Sequence, residues 1–155
     1  MKLSVHFRLI GTGWAECEIA DEASSCTVTA SYLSDALRNL LLAATAVVSE
    51  FRRVTFKFDE EPGEFRWVIS NTLWEIDLSI LEFHELSGDK PDAEGMVRFR
   101  TVCRPRTFAE AVRDAATEVL SKLGESGYAE QWHGFPFPML QYQELCRVLE
   151  TWRGA

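Results

Sequence analysis

Val54-Thr55-Phe56-Lys57-Phe58-Asp59, Glu61-Pro62-Gly63-Glu64 and Phe65-Arg66-Trp67-Val68-Ile69 together decide the fold class of this chain. In the first run apolar and polar residues alternate with the period of two that sends successive side chains to opposite faces of a strand. The third run carries Phe65, Trp67 and Ile69 back at the same spacing. Between them Pro62 presets the first central position of a turn, and Gly63 offers a positive φ at the second, a type II signature. Strands joined this closely pair antiparallel, because a parallel return needs a crossover of roughly a dozen residues or more.

The same grammar extends outward. Asn71-Thr72 reverses the chain again, and Trp74, Ile76, Leu78 and Ile80 then alternate with Glu75, Asp77 and Ser79. A polar, acidic loop over residues 87–94 leads into a last strand from Met96 to Cys103. Upstream, Leu3, Val5, Phe7 and Leu9 form a first strand, and Gly11-Thr12-Gly13 supplies the backbone freedom of a tight hairpin. A return strand through Trp14, Cys17 and Ile19 follows, then a polar break and a short extended piece at residues 26–29.

Helical spacing appears twice. Leu33, Leu37, Leu40, Leu41, Ala44 and Val48 predict a helix over residues 31–50, capped by Ser31 or Ser34. Thr107-Phe108-Ala109-Glu110 reads as a capping box, opening an apolar stripe that ends at Gly124. A short helical piece with Tyr128 and Trp132, an aromatic-proline connector over residues 133–138, and a last helix from Pro138 or Met139 complete the chain. That last helix is expected to bury Tyr142, Leu145, Cys146, Leu149 and Trp152. The expectation is one α+β domain over residues 1–155: a single antiparallel sheet of six or seven strands, with three main helices packed on one face.

Composition narrows the function. The 155 residues carry 24 acidic against 16 basic side chains, a formal net charge of −8. Phosphate-backbone binding rests on Lys and Arg, so nucleic acid is not the expected partner, and an anionic membrane surface is disfavoured for the same reason. The opening residues alternate like a strand and lack the apolar core of a secretory signal. Residues 40–48 are too short for the ~20 apolar residues of a membrane span. Cys17, Cys26, Cys103 and Cys146 are widely spaced within apolar patterns, which points to free thiols and a cytoplasmic setting. The charge is uneven: residues 50–94 hold 12 acidic and 5 basic side chains, a net −7.

The common phosphate, dinucleotide, acyl-transfer and zinc-hydrolysis motifs are absent. Glu82 and His84 share a strand face, but two ligands do not make a zinc site, and no metal or cofactor is expected. His6 reads as solvated. Cys103 beside Arg104 and Arg106 suggests either a thiol of lowered pKa or an ordinary charged turn, and the turn is preferred. Trp132, His133 and Phe135 suggest an aromatic-walled pocket with a titratable group, or simply a connector that seals the core.

Four segments carry a resemblance: S-Y-L-S-D-A-L from Ser31, D-E-E-P-G-E-F-R-W from Asp59, T-F-A-E-A-V from Thr107, and G-Y-A-E-Q-W followed by F-P-F-P from Gly127. Together they resemble a family of small bacterial proteins without assigned activity that share an E-P-G-E-[YF]-R-W hairpin. In style these are similar to bacterial immunity proteins, which bind and neutralise a toxin domain. The resemblance implies a binding role and brings no active-site residue with it.

The functional expectation is therefore a non-enzymatic cytoplasmic binding protein. It would dock a basic protein partner through Glu75, Asp77, Glu60, Glu61 and Glu64 on an acidic sheet face. The alternative is a small-molecule-binding domain or enzyme, with its pocket at Trp132, His133 and Phe135.

Overall fold

The computed structural model describes residues 2–72, 74–85 and 90–151. Among them are seven strands and three α-helices, in the order β1 (Ser4–Leu9), β2 (Trp14–Ala20), β3 (Ser25–Ser31), α1 (Ala36–Val48), β4 (Arg53–Asp59), β5 (Glu64–Asn71), β6 (Ile76–Phe83), β7 (Met96–Cys103), α2 (Pro105–Trp132) and α3 (Met139–Thr151). A single turn of 3-10 helix, Asp92–Glu94, precedes β7.

The α+β class holds, but the strands form two antiparallel sheets rather than the single sheet expected: β1-β2-β3 and β4-β5-β6-β7. The reason lies in the helix between them. β4 meets α1 and the segment leading into it along its free edge, where Asp59 N–H donates to Ser34 Oγ at 3.0 Å and Asn39 Nδ2 of the helix donates to Lys57 O at 3.4 Å. With the Lys57–Asp59 half of that edge occupied, β3 does not pair with β4 to extend the second sheet. It instead packs against β4, β5 and β7, reaching both edges of the four-stranded sheet. Each sheet has one apolar face, and stacking them buries both at once. Val5, Phe7, Cys17, Ile19 and Val28 come from the first sheet, and Phe58, Trp67, Ile69, Leu78, Ile80 and Phe99 from the second. Phe7 meets Phe58 edge-on across this junction, ring centroids 6.3 Å apart.

The helices likewise do not line one face of one sheet. α1 lies against β4, α2 against β1, and α1 also packs on α2 and α3. α1 starts later than its apolar spacing predicts, because Ser31 pairs with Trp14 as the last residue of β3 and is buried there. α2 starts earlier. Pro105 occupies its first turn, where a missing N–H costs nothing, so Thr107 sits inside the helix rather than at its cap. Gly124, at φ 66° and ψ 175°, leaves helical geometry, so α2 kinks and its first stripe ends where the sequence placed the end, with a second helical piece carrying Tyr128 and Trp132.

Beyond the kink, Tyr128 and Trp132 are buried and stack 6.4 Å apart, and Phe137 packs edge-on against Tyr128 at 5.5 Å. α3 buries Leu145 and Leu149, with Tyr142 and Cys146 half-buried. The expectations for Trp152 and for residues 87–89 fall outside the described residues.

The hairpin turns differ in kind. Gly11 and Gly13 have φ of 59° and 74°, as the first turn requires. The β4–β5 turn is not type II. Its Glu61–Pro62 bond is cis, and Gly63 does not have a positive φ. Gly63 is there for space: a Cβ on it would lie 2.4 Å from the backbone oxygen of Phe83. Trp74, expected to face the core, precedes β6 and is 72% exposed.

Candidate functional site

The four-stranded sheet turns its even-numbered β4 and β6 residues inward, so the pairing register assigns the opposite face. Arg53, Thr55, Lys57 and Asp59 of β4 share it with Glu64, Arg66, Val68 and Ser70 of β5. Asp77, Ser79, Leu81 and Phe83 of β6 follow, and then Val97, Arg100 and Val102 of β7. The irregularity opposite Ile80/Leu81 leaves Arg98 without a cross-strand partner. This shift of phase puts Val97 and Val102 on one face although their numbers differ in parity.

This outer face is divided. At the hairpin end, residues 90–95 fold over it. Arg66 Nη1 donates to Lys90 O at 2.7 Å and to Asp92 Oδ1 at 2.9 Å, and its guanidinium lies 4.1 Å from the centre of the Phe83 ring. A Cβ on Gly95 would come within 2.9 Å of both the Leu81 side chain and the Phe83 ring. Leu81, Phe83, Arg66 and Glu64 are buried beneath this cover. Glu64 is 0% exposed, with Arg66 Nε 3.6 Å from its carboxylate, so it presents no charge to a partner. Its place on the expected docking face is corrected accordingly. The alternation put it on the outer side of the strand, but only the fold brings a loop over that side.

At the other end the face is open. Arg100 donates from Nε and Nη2 to the two Asp77 oxygens at 3.0 and 2.5 Å, a two-pronged pair that holds the Asp77 carboxyl below its usual range. Glu75 is exposed just before β6, beside the exposed Trp74. Val102, directly across from Asp77, is exposed as well, as are Met96 and Val97 at the far end of β7. β7, which carries Val102, is the outer strand of its sheet.

The remaining hairpin carboxylates separate. Glu61 is exposed at the turn, whereas Glu60 is half-buried and accepts a hydrogen bond from Thr29 Oγ1 of the other sheet. The −7 of residues 50–94 is largely answered by cations. Asp59 pairs with Lys57, Asp92 with Arg53 and Arg66, Glu82 with Arg98, and Asp77 with Arg100. Two of these arginines come from β7, outside the acidic segment. What faces solvent is therefore a mixed surface with apolar side chains, and Glu50, Glu61, Glu75 and Glu94 are exposed carboxylates of the segment without an ion pair among the described residues.

The other candidates are placed as follows. His6 Nδ1 lies 3.6 Å from Glu118 on α2. Glu82 is engaged by Arg98 at 2.6 Å while His84 is exposed, and among the described residues no three His, Cys, Asp or Glu side chains are grouped to share a metal ion. All four cysteines are free. Cys103 is buried despite its arginine neighbours, and burial pushes its thiol up to about 11.

Trp132 is fully buried in the core, whereas His133 is exposed as the left-handed C-cap of α2 at φ 64°, so these two and half-buried Phe135 do not wall one pocket. The nearby cavity, about 310 Å³, opens instead between Asp35, Arg38 and residues 136–141. The open cluster at Trp74 escaped the sequence reading because strict alternation argues for burial of every apolar position.

No family model matches the chain, and neither a curated protein nor a solved structure matches it.

Proposed function

We propose that this chain is a non-enzymatic binding protein whose protein partner docks on the open end of the outer sheet face, around Trp74, Glu75, Asp77 and Val102. The observation that carries the reading is Trp74, 72% exposed in the β5–β6 connection and leading into the strand that bears the Asp77–Arg100 pair. Interfaces concentrate their binding energy in tryptophan, tyrosine and arginine, ringed by groups that exclude water. An exposed tryptophan near an exposed valine and an ordered ion pair has that composition, and Glu75 favours a partner with a basic rim. Cytoplasmic neutralisation of a basic toxin domain, which the family resemblance implies, is one use that fits.

Among the described residues no helix is long and apolar enough to cross a membrane. The test is a pull-down from native lysate with wild type, Trp74→Ala, Glu75→Lys and, as a control on another surface, Glu130→Lys. The expected result is a defined protein captured by wild type and control and lost with both site variants. Equal recovery by all four would remove this face from the argument.

A further inference from the structure

We infer that the half-open edge of β4 is a second binding site, one that accepts an extended, acidic–apolar peptide segment as an added strand. Which peptide groups of β4 face outward is fixed three ways. Lys57 O meets Asn39 of α1 and Asp59 N–H meets Ser34 just before it, while Glu60 N–H bonds Gly63 O and Asn71 N–H bonds Arg52 O on the side of β5. The odd positions therefore point their N–H and C=O away from the sheet.

At Lys57 and Asp59 those groups are met by Asn39 and Ser34. At Arg53 and Thr55 no side chain of α1 reaches them. Opposite these two residues α1 stands off from the strand, and a groove of about 400 Å³ opens between Leu42, Ala43 and Ala46 of the helix and Phe51, Arg53, Val54, Thr55 and Phe56. Its lining includes four consecutive strand residues, so it opens onto the backbone edge as well as onto side chains of both faces. Phe51 is 61% exposed at its mouth, and Leu42 is exposed on its helical wall. An unpaired edge beside an apolar slot is the arrangement that strand addition uses: backbone bonds hold the segment and alternate side chains enter the slot.

Charge selects the occupant. In a chain of net −8, Arg53 lines the groove, and Arg52, next to it in sequence, is exposed just outside that lining. Arg52 makes no ion pair among the described residues, and Arg53 gives one nitrogen to Asp92. Glu50 stands in the turn before Phe51 and does not line the groove. A second copy pairing through the same edge would set two Arg52-Arg53 pairs against each other, and like charges directly opposite one another destabilise a strand pair. Alternating acidic and apolar residues satisfy both the guanidinium groups and the slot.

The probe is a capped hexapeptide of alternating glutamate and valine, titrated into the full-length protein and followed by amide NMR. Controls are the lysine–valine analogue and a version N-methylated at alternate residues, which cannot complete a ladder. Saturable shifts at Phe51, Arg53 and Thr55 are expected, with exchange of the Thr55 amide slowed. N-methylation should weaken binding by about tenfold, the worth of one or two backbone bonds. Arg52→Glu should weaken it by about fivefold or more while leaving the fold intact. Thr55→Pro, which removes one edge donor, should act like N-methylation, and Arg52→Glu keeps the test decisive if that variant does not fold. Equal binding of the lysine analogue, shifts that map to β7, or a dimer in sedimentation that Arg52→Glu abolishes would each overturn the inference.

Discussion

Thr101 Oγ1 donates to Asp21 Oδ2 at 2.7 Å, joining residues eighty positions apart in sequence. Thr101 is buried in β7, and Asp21 sits in the turn between β2 and β3, so one hydrogen bond clasps the two sheets together. The other Asp21 oxygen accepts from the backbone of Ala23 and Ser24 at 2.8 Å each, which holds the turn itself.

The clasp has a pH signature. The Thr101 hydroxyl first, and the turn amides after it, lower the Asp21 carboxyl below its ordinary value. A carboxyl depressed in the fold contributes stability above the unfolded pKa of roughly 4, and that contribution is lost as pH falls through the folded value. Thr101→Val should therefore flatten the acid limb of the stability curve. A double-mutant cycle of Thr101→Val with Asp21→Ala should return a coupling of about 1 kcal/mol, the bond being partly screened by solvent. Additive losses in urea unfolding would mean that the clasp contributes nothing.

Gly63→Ala should destabilise by about 2 kcal/mol or more, since the new Cβ would press on a backbone oxygen that has nowhere to move. The cause can be separated from a left-handed turn. Asparagine tolerates positive φ better than alanine does, so a turn of that kind would be partly rescued by Gly63→Asn. Here both substitutions should fail together, as denaturant midpoints would record.

The thiols should be unequal. Burial raises Cys17 and Cys103, the latter to about 11. From about pH 8.5 upward the unfolded chain releases these protons while the fold retains them, so stability falls as pH rises toward 11. At pH 8 a soluble disulfide reagent should modify half-buried Cys146 first and leave Cys17 and Cys103 untouched until denaturant is added. Intact-mass analysis of the unreduced protein should show four free thiols. A mass two protons lower would contradict this.

Charge reversal divides the hairpin. Glu61→Lys at the exposed turn should change stability by about half a kcal/mol or less. Glu64→Lys sets an ammonium beside Arg66 in a buried site and should cost about 3 kcal/mol or more. Equal thermal midpoints for the two variants would show that the loop over residues 90–95 does not enclose Glu64 in solution.

Local pattern determined the elements. Period-two runs located the strands of the meander and the first hairpin, because a half-buried strand must alternate to keep one face dry. Helical spacing likewise found α1, α2 and α3, with errors at their ends, where pairing of Ser31 with Trp14 and the early Pro105 outweighed apolar periodicity. The alternation also set Glu64 and Asp77 on the side away from the sheet's core, but it misplaced Glu60, which turns to Thr29 of the other sheet.

What alternation cannot state is what lies over that side. The division into two sheets depends on Asn39 of α1 and Ser34 just before it occupying part of the β4 edge. The burial of Glu64 depends on a loop nearly thirty residues away, and the exposure of Trp74 on its standing outside β6. These are contacts between distant segments, decided by which apolar faces can be buried against one another. A sequence fixes the faces each element offers, and only packing decides which of them meet.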